Sequence, residues 1–137
     1  MKLDFLEDFS DAYLKTDKGR GVFLAGVLLG YMAKCQVANE KDIKNAPLFK
    51  QIEFGRLDTN SLKKLMARVP KLIVAYDMKP AHFISALAAE AGKLMLGEGK
   101  NELGAEGNFA FTVGFGNATD YFWRLFKKQE TSQETED

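Results

Sequence analysis

The sequence contains few of the residues that most often carry chemistry or covalent cross-links. Cys35 is its one cysteine, so no internal disulfide can form, and His82 is its one histidine, with no cysteine close to it in sequence. A zinc site is therefore not expected. Cys35 lies in an apolar helical pattern, which favours a small buried side chain over a reactive thiol. Neither a Walker loop nor a local serine–histidine motif is present, so we predict no catalytic residue, no metal and no cofactor, and hence a protein that is not an enzyme.

Long hydrophobic runs are also missing. The longest apolar stretch, residues 21–33, is shorter than the roughly 20 residues that a membrane-spanning helix requires. The N-terminal residues 1–13 contain acids where a signal peptide needs an uninterrupted apolar run. We therefore expect a cytoplasmic protein that does not contact the membrane. Apolar residues make up 46% of the chain, which favours a folded domain over a disordered one.

Net charge is absent too, because 19 bases balance 19 acids, but the two signs are unevenly distributed. All the bases precede residue 129, and residues 129–137 carry four acids, no base and no apolar side chain. A segment without apolar residues cannot offset the entropy lost on ordering. We therefore predict a helical bundle over residues 1–128 and a disordered acidic tail over residues 129–137.

What the chain does have is a helical repeat of apolar residues along most of its length. Pro70 should kink or split one of the predicted helices near Val69. Residues 109–115 alternate in part, so a strand is an alternative there, but helical spacing continues over residues 118–128 and favours a helix. The predicted fold class is all-α, a single-domain helical bundle of five or six helices. The apolar spacing predicts helices over residues 4–14, 18–37, 46–54, 61–77, 81–96 and most of 108–126.

The predicted helix over residues 18–37 is apolar on most of its surface, which indicates a place at the centre of the bundle. It contains Gly26 and Gly30, although a glycine costs about 1 kcal/mol inside a helix. We expect these two glycines to allow a neighbouring helix to approach the backbone closely.

Basic residues cluster in the middle of the chain. Between Arg56 and Lys79 there are six bases and two acids, and Lys64, Arg68 and Lys71 are spaced i, i+4, i+7, which places them on one face of a helix. Few acids stand at pairing distance, so we favour phosphate binding over the alternative of an ordinary solvated helix face. The aromatic residues follow the apolar repeat and are predicted to lie in the core, not to stack on bases. The candidate nucleic-acid-binding residues are Lys18, Arg20, Lys50, Arg56, Lys63, Lys64, Arg68 and Lys71.

Several apolar motifs resemble those of a known family. The run over residues 21–30, GVFLAGVLLG, is followed by Gln36 and by Pro47-Leu48-Phe49. A late segment, FAFTVGF over residues 109–115, adds to the likeness, and so do four single positions, which are Leu57, Leu62, Val69 and Tyr76. Together they resemble the C-terminal helical region of the large subunit of type I-B CRISPR effector complexes (Cascade). In that lineage the region can also be made as a separate small subunit from an internal start, and a chain that begins at Met1 fits the small subunit.

The resemblance implies a helical protein without enzymatic activity that works inside an RNA-guided complex. Several copies would line the complex, support the guide–target duplex and hold the displaced DNA strand. The implied partners are guide RNA, target DNA, further copies of the chain, and the large and backbone subunits. An alternative from another class is a helical scaffold whose basic face meets an acidic protein partner.

Overall fold

The helix α1 (Asp17–Val37) lies at the centre of the fold. The Thr16 side chain caps its first turn by accepting a hydrogen bond from the Gly19 amide at 2.9 Å. Every residue from 21 to 33 is buried, as the nearly continuous apolar run predicts. Three later helices pack around α1, which confirms both the helix predicted over residues 18–37 and its central position.

The computed structural model describes residues 3, 6, 9–38, 42–96 and 102–136. Within these ranges the strand-like pairing is limited to one isolated bridge, between Asp58 and Glu102, so the all-α prediction is confirmed. The segment over residues 109–115 is helical, which confirms the preference for a helix over a strand there. The remaining helices are α2 (Pro47–Gln51), α3 (Thr59–Met66), α4 (Val69–Tyr76), α5 (Ala81–Leu96), α6 (Gly104–Gly116) and α7 (Ala118–Glu136).

Glycines let α1 and α6 approach each other at backbone distance. A Cβ atom built on Gly26 would lie 2.4 Å from the Phe111 carbonyl oxygen of α6. In the other direction, a Cβ atom on Gly114 of α6 would lie 2.6 Å from the Phe23 carbonyl oxygen. Gly30, one turn after Gly26, is crowded in the same way where α6 gives way to α7. The predicted close helix–helix contact at Gly26 and Gly30 is therefore confirmed.

The long helix predicted over residues 61–77 is divided into α3 and α4. Asp58 and Ser61 form a capping box at the start of α3, and Pro70 occupies the first turn of α4. Proline has no amide hydrogen to donate, so the helical hydrogen-bond ladder is interrupted just before it. The predicted split near Val69 is confirmed. One consequence is that Lys64 and Lys71 lie on two different helices and not on one continuous face.

The helix predicted over residues 4–14 is wrong where the structure describes the chain. Residues 9–11 are not helical, and residues 12–15 form a short 3-10 turn. The Asp11 side chain accepts a hydrogen bond from the Tyr13 amide at 2.9 Å, which stabilises a turn in competition with an α-helix. The apolar spacing still identified a buried side chain, Leu14. Residues 4, 5, 7 and 8 lie outside the described part of the chain.

A buried amide attaches the connection between α2 and α3 to α6. The Asn108 side chain accepts from the Leu57 amide at 2.7 Å and donates to the Leu57 carbonyl at 3.2 Å. It also donates to the Gly104 carbonyl at 2.9 Å, so its polar atoms are paired although the residue is buried. This anchor determines where α3 begins, and therefore where the bases of α3 and α4 emerge.

The helix α7 extends to Glu136 and so includes residues 129–136, for which the sequence predicts a disordered tail. The segment is polar, but a helix that has already formed through residue 128 gains one backbone hydrogen bond for each residue added, which explains the difference. Asp137 lies outside the described residues. The division into a bundle over residues 1–128 and a disordered tail stays a prediction.

Truncation after Lys128 tests whether the tail has a role in folding or binding. We expect the melting temperature to be unchanged, because residues 129–137 contain no apolar side chain to pack on the core. At low salt the affinity for nucleic acid should be equal or slightly higher, since four acids that compete with phosphates are removed. Thermal melting by circular dichroism and oligonucleotide anisotropy measure the two effects. A lower affinity after truncation would show that the tail makes productive contacts.

Candidate nucleic-acid interface

Six of the eight candidate bases lie in one segment, residues 50–71, which we call the basic segment. All six side chains are exposed, and within the described part of the chain none of them forms an ion pair with an acid. The segment contains two acids, Glu53 and Asp58, and the Asp58 carboxylate is occupied as the cap of α3. The six bases are Lys50, Arg56, Lys63, Lys64, Arg68 and Lys71.

The apolar pattern of α3 and α4 determines which way the bases point. In α3 the buried side chains are mainly Leu62 and Leu65, so Lys63 and Lys64 lie on the solvent side. In α4 the buried positions are Val69 and Leu72, and Lys71 is exposed between them in sequence. The bases are therefore presented to solvent because the neighbouring apolar residues are fixed in the core.

A contact between distant parts of the chain joins α2 to the junction of α3 and α4. The Arg68 guanidinium donates a hydrogen bond to the side-chain carbonyl of Gln51, at the C-terminal end of α2. Lys50 precedes Gln51, so the backbone of Lys50 lies near this junction. Nothing in the residue spacing indicates this contact, because it depends on how α2 packs and not on a periodic pattern.

The bases of α3 and α4 lie at opposite kinds of helix end. Lys63 and Lys64 lie in the last turn of α3, where a positive charge interacts favourably with the helix dipole. Arg68 is the N-cap of α4 and Lys71 lies in its first turn, where the dipole disfavours positive charge. That turn has no acid and no side-chain cap. A bound anion would interact favourably with both bases and with the helix end.

The other two candidates, Lys18 and Arg20, make contacts of a different kind. The Lys18 ammonium donates to the Glu102 carbonyl at 2.9 Å, and the Arg20 guanidinium donates to the Leu14 carbonyl at 3.1 Å. Both side chains are half-buried. They attach neighbouring segments to the start of α1, so a role in phosphate binding for these two stays a prediction.

Cys35 and His82 are the side chains that would most readily serve as a nucleophile or a metal ligand. Cys35 is half-buried, and burial raises the pKa of its thiol, although a hydrogen bond with Tyr31 acts in the opposite direction. A raised pKa keeps the sulfur protonated and weakly nucleophilic near neutral pH. In the described ranges no group of three histidine, cysteine or acidic side chains could hold a metal ion, and His82 is exposed. None of the described helices is long and apolar enough to cross a membrane.

Most aromatic side chains belong to the core, as the sequence predicts. Phe23, Phe111 and Phe122 are fully buried and contact further rings around α1 and α6. Three described aromatic residues depart from this pattern. Tyr76 on α4 is 41% exposed, Phe109 on α6 is 66% exposed and Trp123 on α7 is 38% exposed. All three occur within the apolar repeat, so their exposure could not be read from spacing.

One comparison with known proteins identifies a related family. The family model described as the CRISPR-associated protein TM1802 C-terminal domain matches residues 2–129, which is nearly the whole chain. No curated protein and no solved structure matches the chain.

Proposed function

The chain belongs to the family of CRISPR-associated TM1802 C-terminal domains, and on that premise we propose that it is a small subunit of an RNA-guided interference complex of the type I-B Cascade class. In this role it has no catalytic activity of its own and acts in the cytoplasm. It binds the sugar–phosphate backbone of nucleic acid within the complex, where it stabilises the guide–target duplex and the displaced DNA strand.

The observation that carries this proposal is the basic segment. Six exposed bases without acidic partners in the described residues are distributed from α2 to the first turn of α4. Arg68 and Lys71 lie at the N-terminal end of α4, where a bound anion would interact favourably with both charges. Lysine and arginine contacts with phosphates give affinity without reading sequence. Binding without sequence preference is sufficient in an RNA-guided complex, because base pairing with the guide supplies the specificity.

A second candidate function is supported by an exposed apolar side chain next to the same bases. Val74 on α4 is 82% exposed, one turn after Lys71. A basic and apolar helix face of this kind also suits an amphipathic acidic helix of a protein partner. In that case the chain would be a helical scaffold, and its bases would pair with carboxylates instead of phosphates.

Cross-linking followed by nuclease digestion separates the two functions. The full chain is purified with its native complex, irradiated to join protein to nucleic acid, digested with nuclease and analysed by mass spectrometry. Our proposal predicts nucleotide adducts on peptides from residues 50–71. Adducts confined to peptides outside the basic segment would contradict it. A complex that holds no nucleic acid, with chemical cross-links from these lysines to an acidic protein, would establish the scaffold function instead.

A further inference from the structure

Trp123 is the one tryptophan of the chain, and its ring is partly exposed at the surface of α7. It meets the rings of Tyr31, Phe122 and Phe126 at centroid distances of 5.7, 5.3 and 5.6 Å, with interplanar angles of 88° or 89°. None of these contacts is a parallel stack. Among the described residues the ring therefore has no stacked partner, and its orientation is set before any ligand arrives.

Two exposed lysines lie within one helical turn of this aromatic cluster. Lys127 is exposed and follows Trp123 by one helical turn on the same face of α7. The Tyr31 hydroxyl, whose ring contacts Trp123, donates to the Lys79 carbonyl at 2.6 Å, which places the backbone of Lys79 near the same cluster, whereas the Lys79 ammonium is paired with the Asp77 carboxylate at 3.8 Å. Lys34 is exposed and follows Tyr31 by three residues on α1.

A cleft lies at the start of α7, one turn before Trp123. It has a volume of about 390 Å³, and its lining includes Lys34 from α1 together with Thr119 and Asp120 from the first turn of α7. Thr119 lies one turn before Trp123 on the same face of the helix, although the Trp123 ring itself does not line the cleft. The carboxylate of Asp120 is paired with the Arg124 guanidinium at 3.1 Å, so the acid at the cleft is already neutralised. The cleft thus offers an ammonium group and a hydroxyl one helical turn from the ring.

From this arrangement we infer that Trp123 is a stacking platform for an unpaired base of single-stranded nucleic acid, with Lys34 and Lys127 near its phosphates. Proteins that bind single strands without sequence preference combine aromatic rings with bases in this way. Because the ring is already fixed by three neighbours, stacking costs little side-chain entropy. The inference rests on the proposed function and specifies its ligand as a single strand. The helix α4, about 12 Å long, leads from the basic segment towards Lys79, whose carbonyl accepts the hydrogen bond from Tyr31.

The single tryptophan allows a direct test with the full-length chain. Intrinsic fluorescence excited at a wavelength that tyrosine hardly absorbs reports on Trp123 alone, while the anisotropy of a labelled oligothymidylate reports on binding. We expect oligothymidylate to quench the fluorescence in step with binding, since a stacked base quenches the indole. Polyglutamate, which carries charge but no bases, should leave the fluorescence unchanged. Quenching by polyglutamate to the same degree would overturn the inference.

Variants give a second and independent readout. Trp123→Leu is expected to weaken oligothymidylate binding on the order of tenfold, whereas Trp123→Phe keeps a ring and should retain most of the affinity. Phe109→Leu is the matched control, since it removes an exposed ring from α6, and it should bind as the wild type does. Salt-dependent binding with unquenched fluorescence, or equal affinity in all variants, would overturn the platform while the proposed function stands. If the chain does not bind nucleic acid at all, both are wrong.

Discussion

Gly26→Ala is expected to destabilise the folded chain by about 3 kcal/mol or more, although the change adds a single methyl group. The new Cβ would lie 2.4 Å from the Phe111 carbonyl oxygen, and two further backbone atoms of Phe111 are 3.1 and 3.2 Å away. Because all three are backbone atoms of α6, no side-chain rotation relieves the overlap. The helices α1 and α6 would have to separate, with loss of packing along the centre of the bundle.

Gly92→Ala is the matched control for this prediction. Gly92 lies inside α5, and a Cβ atom there meets no other atom within 4 Å. Replacing glycine by alanine in an open helical position should stabilise the fold by about 0.5–1 kcal/mol. Chemical denaturation measures both variants. If Gly26→Ala unfolds at the same denaturant concentration as the wild type, the close approach of α1 and α6 is contradicted.

The combined change Lys64→Glu, Arg68→Glu, Lys71→Glu is expected to weaken binding of target DNA by the assembled complex about tenfold or more. Folding should survive, because all three side chains are exposed and the buried positions of α3 and α4 are untouched. The helix end at Arg68 and Lys71 would even gain acids at its favourable end. The melting temperature should accordingly stay near the wild-type value.

A control with the same change in net charge separates local contacts from long-range attraction. Lys15→Glu, Lys44→Glu and Lys93→Glu alter three exposed bases outside the basic segment. This control should retain most of the affinity. Equal losses in both variants would mean that only net charge matters. A folded Lys64, Arg68 and Lys71 variant in a complex that binds target DNA as before would reduce the basic segment to an ordinary solvated helix face.

The sequence was sufficient to predict those parts of the fold that depend on local patterns. A nearly continuous apolar helix has to be buried, so α1 could be placed at the centre, and Pro70 had to interrupt the hydrogen-bond ladder. The N-terminal segment shows the limit of this reasoning. Its apolar residues are spaced as in a helix, but the Asp11 side chain stabilises a turn, and periodicity alone does not weigh that competition.

The bases of the candidate site could be named from composition and spacing, but their arrangement could not. The contact of Arg68 with Gln51 and the anchoring of Leu57 by Asn108 join segments that are far apart in sequence. Neither is visible in a periodic pattern. The exposure of Trp123 was missed for a related reason, because its position in the apolar repeat indicates burial. Whether Trp123 is buried or exposed depends on how α5 and α7 pack around Tyr31.

The salt dependence of binding tests the central claim most directly. The affinity of the full chain for single-stranded DNA is measured over a series of salt concentrations, with and without the change Lys64→Glu, Arg68→Glu, Lys71→Glu. Each phosphate contact on a single strand contributes about 0.7 to the slope of log affinity against log salt concentration. If the three bases bind phosphates, the slope of the variant should be smaller by about two. Equal slopes for the wild type and the variant would contradict phosphate binding by the basic segment.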